Sequence, residues 1–365
     1  MSTNQPRIVV AMSGGVDSSV AAALLVEQGY EVVGMMLRLW SEPGTELFNR
    51  CCTPEAMALA RRVAGHLGIP FHVVDIRETF QQNIVQFFID GYASGETPNP
   101  CMMCNRTIRF GALLDRALSI GAGALATGHY ARTRTGPHGL VSLLRGVDEH
   151  KDQSYVLSVL NQEQLRHAMF PVGEYPKPEV RALARKFGLP TAERSDSQDL
   201  CFLAGGDYRD FLSRNAPQVE IPGPIRTPAG QTLGQHGGLA FYTIGQRKGL
   251  GIAAPEPLYV IEKDAATNAL IVGPLEALGK NGLLAREANW VSGTSPGQAF
   301  RGTVKIRYTA RAAPGVITPG EGGSFEVIFD EPLRDITPGQ AAVIYDGELV
   351  LGHGLIAQAT NHSVL

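Results

Sequence analysis

The chain has 365 residues, 44% of them hydrophobic and 18% charged, with a formal net charge of −3 at pH 7. That length suffices for two or three domains, and the composition excludes a disordered chain. No apolar run approaches the roughly 20 residues that span a bilayer, and the slightly acidic balance gives no global nucleic-acid signature, so a polyanionic partner would need a local basic face.

Taken in order, the first part alternates strand and helix. The apolar run Ile8 to Met12 reads as a strand and leads into Ser13-Gly14-Gly15-Val16-Asp17-Ser18-Ser19, after which an alanine-rich helix, Ser18 to Gln28, stops at Gly29. Two glycines let backbone approach a ligand closely. The N–H groups of Asp17, Ser18 and Ser19 are expected to face outward, unpaired, at the positive end of the helix dipole, a place that binds phosphate. The chain contains no G-x-x-x-x-G-K-[ST], so the lysine of the Walker loop is missing. Glu31 to Leu37 then predicts a buried strand, Pro54 to Leu67 a helix ending at Gly68, and Phe71 to Asp75 a third strand. A helix through Phe80 to Asp90 leads to Thr97-Pro98-Asn99-Pro100, where two prolines stop regular structure. Cys101-Met102-Met103-Cys104-Asn105 opens a basic helix with Arg106, Arg109 and Arg116, and the strand Ala124 to Thr127 runs into Gly128-His129-Tyr130. Such alternation implies a parallel sheet covered by helices, with ligands at the carboxyl ends of its strands.

From Lys151-Asp152-Gln153-Ser154-Tyr155 the pattern is less regular. It includes a helix from Gln162, a second from Val180 to Phe187 opened by Tyr175-Pro176-Lys177-Pro178-Glu179, and a polar loop from Ser195 to Cys201-Phe202. Proline and glycine density rises between Pro217 and Gly238, which marks a boundary. Beyond it, short strands at Leu258 to Glu262, Leu270 to Val272, Gly302 to Arg307, Ser324 to Phe329, Ala341 to Tyr345 and Glu348 to Gly352 alternate with glycine turns. The expectation is a catalytic domain over 1–212, a small β-rich domain over 213–280 and a C-terminal β-barrel over 281–365.

Five cysteines without a secretory signal pattern suit reduced thiols used in chemistry or metal binding, in a cytoplasmic protein. Cys101 and Cys104 form a C-x-x-C, and Cys201 follows about a hundred residues later. A C-x-x-C alone suggests zinc or a redox pair, but no second C-x-x-C exists to complete a zinc site. Three thiolates suit a nucleophile with a persulfide carrier, or an iron–sulfur cluster with one iron left open. Both stay open here. The adjacent Cys51 and Cys52 read as ordinary thiols.

The glycine loop resembles the pyrophosphate loop of the N-type ATP pyrophosphatases, which split ATP into AMP and pyrophosphate while adenylating an oxygen. Asn99-Pro100-Cys101-x-x-Cys104-Asn105, Gly128-His129-Tyr130, Lys151 to Tyr155, Cys201-Phe202 and Gly245-Gln246-Arg247-Lys248-Gly249-Leu250-Gly251 extend the likeness over essentially the whole chain. Together they resemble the bacterial and organellar tRNA-specific 2-thiouridylases. That resemblance implies an enzyme acting on tRNA that carries a wobble uridine. ATP adenylates the 2-oxygen and sulfur replaces it, with magnesium as cofactor, a sulfur-donor protein as partner, no membrane and a monomeric chain.

It further implies that Cys104 is the nucleophile and Cys201 the persulfide carrier. Ala11, Met12, Ser13, Gly14, Gly15, Val16, Asp17, Ser18, Leu37 and Gly128 would contact ATP, with Asp17 helping to hold magnesium. Asn99, Pro100 and Cys101 would meet the target base, and His129, Lys151, Asp152, Gln153, Arg307, Tyr308 and Gln340 the rest of the tRNA. Many members of the family have aspartate where this chain has Cys101, which favours the cluster alternative, with Cys101, Cys104 and Cys201 as ligands. Leu37 stands where methionine is common. Two rivals remain at this point: a pyrophosphatase that adenylates a carboxylate for amidation, and a non-catalytic metal-thiolate protein that binds tRNA. Scattered basic residues, Arg247, Lys248, Lys305 and Arg311 among them, could contact phosphates.

Overall fold

The computed structural model describes residues 6–45, 53–195, 200–203 and 205–362. Cys51 and Cys52 lie outside them, as do Asp196 to Asp199 of the polar loop. Five parallel strands, β1 (Arg7–Ala11), β2 (Glu31–Arg38), β3 (Phe71–Asp75), β4 (Ala124–Ala126) and β7 (Ala168–Met169), form the first sheet in the order β3-β2-β1-β4-β7. Helices cover both of its faces, so β1 is apolar from Ile8 to Ala11. Ile8 and Val10 point into one core with Val20, Leu24 and Val63, while Val9 points into another with Phe110, Leu125 and Tyr155. Among the described residues, no helix is long and apolar enough to cross a membrane.

Between β4 and β7 the chain makes a hairpin, β5 (Ala131–Thr135) and β6 (Val141–Arg145). The middle sheet contains β8 (Gly223–Arg226), β9 (Thr232–His236), β10 (Tyr259–Asp264) and β11 (Ala269–Gly273), in the order β10-β11-β8-β9. The proline- and glycine-rich stretch read as a boundary therefore contains two strands of its own. The C-terminal strands are β12 (Lys280–Trp290), β13 (Phe300–Lys305), β14 (Ala313–Pro319), β15 (Phe325–Leu333), β16 (Ala341–Asp346) and β17 (Leu349–Thr360). They run antiparallel in the order β12-β15-β14-β13-β16-β17, and pairing of β17 with β12 closes them into a barrel filled by Leu283, Val304, Phe325, Val327 and Ile356.

The barrel is joined to the first part of the chain through the β5–β6 hairpin. β17 pairs with β6 through Leu349 with Leu144 and Val350 with Leu143. Val343, Tyr345 and Val350 of the barrel share one continuous core with Val9, Val33 and Tyr155. The expected parallel sheet, small β-rich unit and C-terminal barrel are all observed; the hairpin and the common core are additions.

A phosphate loop and a thiol cluster at the candidate active site

β1 ends at Ala11, and the helix Val16–Glu27 begins with extended Gly15 as its N-cap. Met12 N–H bonds the Met35 carbonyl at 2.7 Å, which ties the loop entrance to β2, where Leu37 is half-buried near the carboxyl end. No side chain caps the helix. The Ser18 and Ser19 hydroxyls instead donate to the Gly15 carbonyl, and Ser13 N–H donates to Ser18 Oγ. Ser19 N–H, expected to face outward, closes the first turn onto Gly15 O at 3.3 Å. Gly14 has φ of 72°, and a Cβ there would lie 2.5 Å from the Ala56 carbonyl oxygen. At Gly128, just past β4, a Cβ would come within 2.6 Å of Ser18 N, so that strand end presses directly on the loop.

Asp17 is the loop's anionic group, and its partners come from afar. Lys177 Nζ lies 2.7 and 2.8 Å from its two oxygens, and Tyr130 Oη donates to Oδ1 at 2.7 Å. The Lys177 side chain is 10% exposed and that of Asp17 30%. Arg194 donates to the Gly14 carbonyl at 2.7 Å. A helix start, two backbone-directed hydroxyls, one half-exposed carboxylate and two cations thus converge at the carboxyl end of β1, where an anion with its counter-cation can be received. Sequence reading found no loop lysine; the structure supplies Lys177 from the Pro176-Lys177-Pro178 segment. Its only sequence signal was a helix-opening proline pair, which says nothing about where the amine points.

The thiols lie on a neighbouring edge. Asn99 caps the short helix Pro100–Met103 by accepting from Met102 N–H at 3.3 Å, and from Cys104 to Leu113 the same helix is wound in wide π turns. π winding is rare and frequent at functional sites. Cys104 is buried at 9% exposure in a cluster with Phe80, Phe88, Ile108, Phe202 and Phe211, and half-buried Cys201 packs against the same cluster. The structure thus brings the two thiols assigned to chemistry into one apolar environment. Cys101 is exposed. Among the described residues no three Cys, His, Asp or Glu side chains gather as a metal-ligand set.

Behind Cys104 runs a polar relay. Arg109 donates to Asn105 Oδ1 and to His129 Nε2, both at 3.1 Å, and Asn105 donates to the Val156 carbonyl. With Nε2 accepting from a guanidinium, His129 carries its proton on Nδ1, 2.7 Å from Thr127 Oγ1. Burial, and then the charge of Arg109, hold its pKa well below the ordinary histidine value, so the ring is neutral at pH 7. His129 is only 6% exposed.

The remaining expected RNA contacts divide in two. Asp152, 4% exposed, accepts from Gly146 N–H, Ser154 N–H and Ser154 Oγ and so staples its own loop, while Gln153 Oε1 accepts from Tyr130 N–H and ties that loop to the segment just past β4, beside half-buried Lys151. Arg307 donates to the Ile244 carbonyl at 3.1 Å and to Thr337 Oγ1, joining the barrel to the middle unit. Gln340 Nε2 donates to the Thr97 carbonyl at 2.8 Å. Tyr308, by contrast, is 39% exposed, with Lys305 Nζ 5.4 Å from its ring centroid. Burial pushes its hydroxyl pKa up, and the charges of Asp152 and Cys101 add to the shift. Its ring lies 6.1 Å from that of Tyr155, so the Tyr308 ring and the Lys305 ammonium sit together over Tyr155.

Three family models match in succession: a tRNA methyl transferase HUP domain over residues 6–205, a tRNA methyl transferase PRC-barrel domain over 209–274, and an aminomethyltransferase β-barrel domain over 280–356. Among curated relatives, the tRNA-specific 2-thiouridylase MnmA of Roseiflexus castenholzii is 49% identical, covering 96% of this chain and 99% of its own. Those of Magnetococcus marinus and Moorella thermoacetica are 48% and 50% identical, with 97% and 95% of this chain covered and 99% and 98% of theirs. Methyl transfer, named in two of the model descriptions, has no counterpart in the names of these full-length relatives. Nearly half of all residues agree over almost every position of both chains, and the chain belongs to the family of the tRNA-specific 2-thiouridylases.

Proposed function

We propose that the phosphate loop and the thiol cluster carry the two halves of one reaction on tRNA. As a member of its family the protein is an ATP-using tRNA-uridine 2-sulfurtransferase; the assignment of residues to steps is our reading. In the first half, the 2-oxygen of the wobble uridine attacks the α-phosphorus of ATP and pyrophosphate leaves, so that the oxygen becomes part of an AMP leaving group. Ala11 to Ser18 and Gly128 cradle the nucleotide, with Leu37 beside it. Lys177 moves from Asp17 to the departing phosphates. Asp17 would hold the magnesium that accompanies ATP, and that ion would neutralise charge on the leaving group. One half-exposed carboxylate fits an ion that is ordinarily held by one or two carboxylates plus substrate phosphates.

In the second half, a persulfide on Cys201 attacks C2 and AMP departs, leaving a disulfide between the sulfur on C2 and Cys201. The Cys104 thiolate then attacks Cys201 Sγ. A Cys104–Cys201 disulfide forms, 2-thiouridine is released, and an external dithiol restores both thiols. The observation that carries this reading is the burial of Cys104 against the cluster that Cys201 also joins. An iron–sulfur cluster on Cys101, Cys104 and Cys201 does not fit this arrangement, because the described residues contain no gathered ligand set and Cys101 is exposed where Cys104 is buried. Asn99, Pro100, Cys101 and Tyr308 face the target base, and Lys151 lies along the approach. Sulfur reaches Cys201 from a donor protein, and the chain works as a monomer in the cytoplasm.

The test is alanine at each thiol, read by mass spectrometry of nucleosides from digested tRNA. Cys104→Ala and Cys201→Ala both lose 2-thiouridine, while Cys201→Ala still releases pyrophosphate in the presence of tRNA. Full thiolation by either variant removes the assignment.

A further inference from the structure

The segment just before the nucleophile's helix is held from outside its own sheet. Thr97 N–H donates to the Pro338 carbonyl at 2.9 Å, and Gln340 Nε2 returns a bond to the Thr97 carbonyl at 2.8 Å. Both partners lie in the turn that leads into β16. Next door, Glu96 Oε1 accepts from Arg286 of β12 at 2.8 Å. Residues from two parts of the barrel thus meet on Glu96 and Thr97. Two positions later Asn99 caps the turn that contains Cys101 and leads into Cys104.

The link between the junction and the cap is stiff. Pro98 and Pro100 fix φ at their own positions and restrict Thr97 and Asn99, so Thr97 to Pro100 has little freedom to absorb a displacement. Beyond it, Tyr155 Oη donates to the Ala341 carbonyl at 3.0 Å, and the short helix Ser154–Leu157 that carries Tyr155 packs against Pro100–Met103. The start of the nucleophile's helix is therefore registered against β16 from both sides.

We infer that Gln340 and Arg286 are positioning residues for Cys104: through the stiff Thr97–Pro100 link, the docked barrel sets where the nucleophile's helix begins. Gln340 then acts on the thiol through the protein rather than by touching RNA. This rests on Cys104 being the nucleophile, and it adds a requirement that the barrel be seated before the second half of the reaction can proceed.

The test uses the full chain with Gln340→Met, which keeps the side chain's length and removes its donor. Expected are thiolation kcat lower by at least about tenfold, since small misplacements of reacting groups are costly, and unchanged tRNA affinity in filter binding. The rate at which iodoacetamide alkylates Cys104 without tRNA, read by peptide mass spectrometry, should differ from that of the unmodified chain. No lost RNA contact would move that last readout. Arg286→Met, an independent lesion at the same junction, gives the same pattern and serves if Gln340→Met fails to fold. Weakened tRNA binding with unchanged alkylation overturns the inference and makes Gln340 an RNA contact; unchanged kcat in both variants also overturns it. Cys104→Ala separates the two readings: if it stays active the nucleophile assignment fails, whereas if it is inactive beside a fully active Gln340→Met only the docking inference does.

Discussion

Replacing Lys177 with methionine keeps the reach of the side chain and removes its charge. In the free protein the ammonium lies 2.7 and 2.8 Å from the two Asp17 oxygens, a doubly charge-assisted contact. Without it Asp17 retains the Tyr130 hydroxyl, and its 30% exposure lets water recover part of the loss, so the folded state should lose only about 1–2 kcal/mol. The chain should still fold. Adenylation should suffer more. One or two charged hydrogen bonds to phosphate, at about 2 kcal/mol each, correspond to roughly thirty- to thousandfold in kcat/KM for ATP. Release of labelled pyrophosphate in the presence of tRNA measures this directly, with thermal melting as the control for folding. If Lys177→Met melts within a few degrees of the unmodified chain and releases pyrophosphate at an undiminished rate, Lys177 is only a counter-ion for Asp17, and its assignment to the phosphates is refuted.

Two further outcomes follow from the same geometry. Gly14→Ala places a side chain at φ of 72° with its Cβ 2.5 Å from the Ala56 carbonyl oxygen, so the loop must shift; a loss of about 1–3 kcal/mol is expected, and added ATP should no longer raise the melting temperature. His353, 5% exposed with Nδ1 3.0 Å from the Ser158 carbonyl, has its pKa pushed down to about 4, chiefly by burial. The unfolded ring takes up a proton near pH 6.5 that the folded ring refuses, so stability present above that pH is lost as pH falls from about 6.5 toward 4. Between pH 7 and pH 5 that amounts to about 2 kcal/mol. Denaturant titrations at the two pH values should show His353→Asn less pH-sensitive by that amount, and an equal dependence in both chains would refute the linkage.

Much of the fold could be read from the residues because its core strands carry their burial in their composition. Ile8 to Ala11 of β1 and Val32 to Leu37 of β2 are continuous apolar runs since both faces are covered, and the helix Pro54–Leu67 has a threonine cap and a glycine stop. β5, with the sequence Ala131-Arg132-Thr133-Arg134-Thr135, reads as a polar loop. It is a strand because β6 pairs with it, and no local propensity announces that. β7 has two residues, too few for any periodicity. β8 and β9 of the middle sheet lie among prolines and glycines, where turn signals outweigh the few apolar positions. At the site, the loop and the thiols were visible because their chemistry is local to short motifs. Lys177, Arg194 and the Gln340 contact were not, because each reaches its partner across more than a hundred residues of chain.

The pairing of β6 with β17 also bears on how the chain is made. Ribosomal synthesis delivers the hairpin β5–β6 early and β17 among the last residues, and until β17 arrives the outer edge of β6 has no partner. An unpaired strand edge is a template for pairing with other chains. A nascent or truncated polypeptide that ends before Leu349 would therefore display that edge together with the apolar surface that Val350 covers in the finished protein. Such fragments should be captured by chaperones or aggregate, and the first sheet should not be obtainable as a well-behaved product without the barrel's final strand.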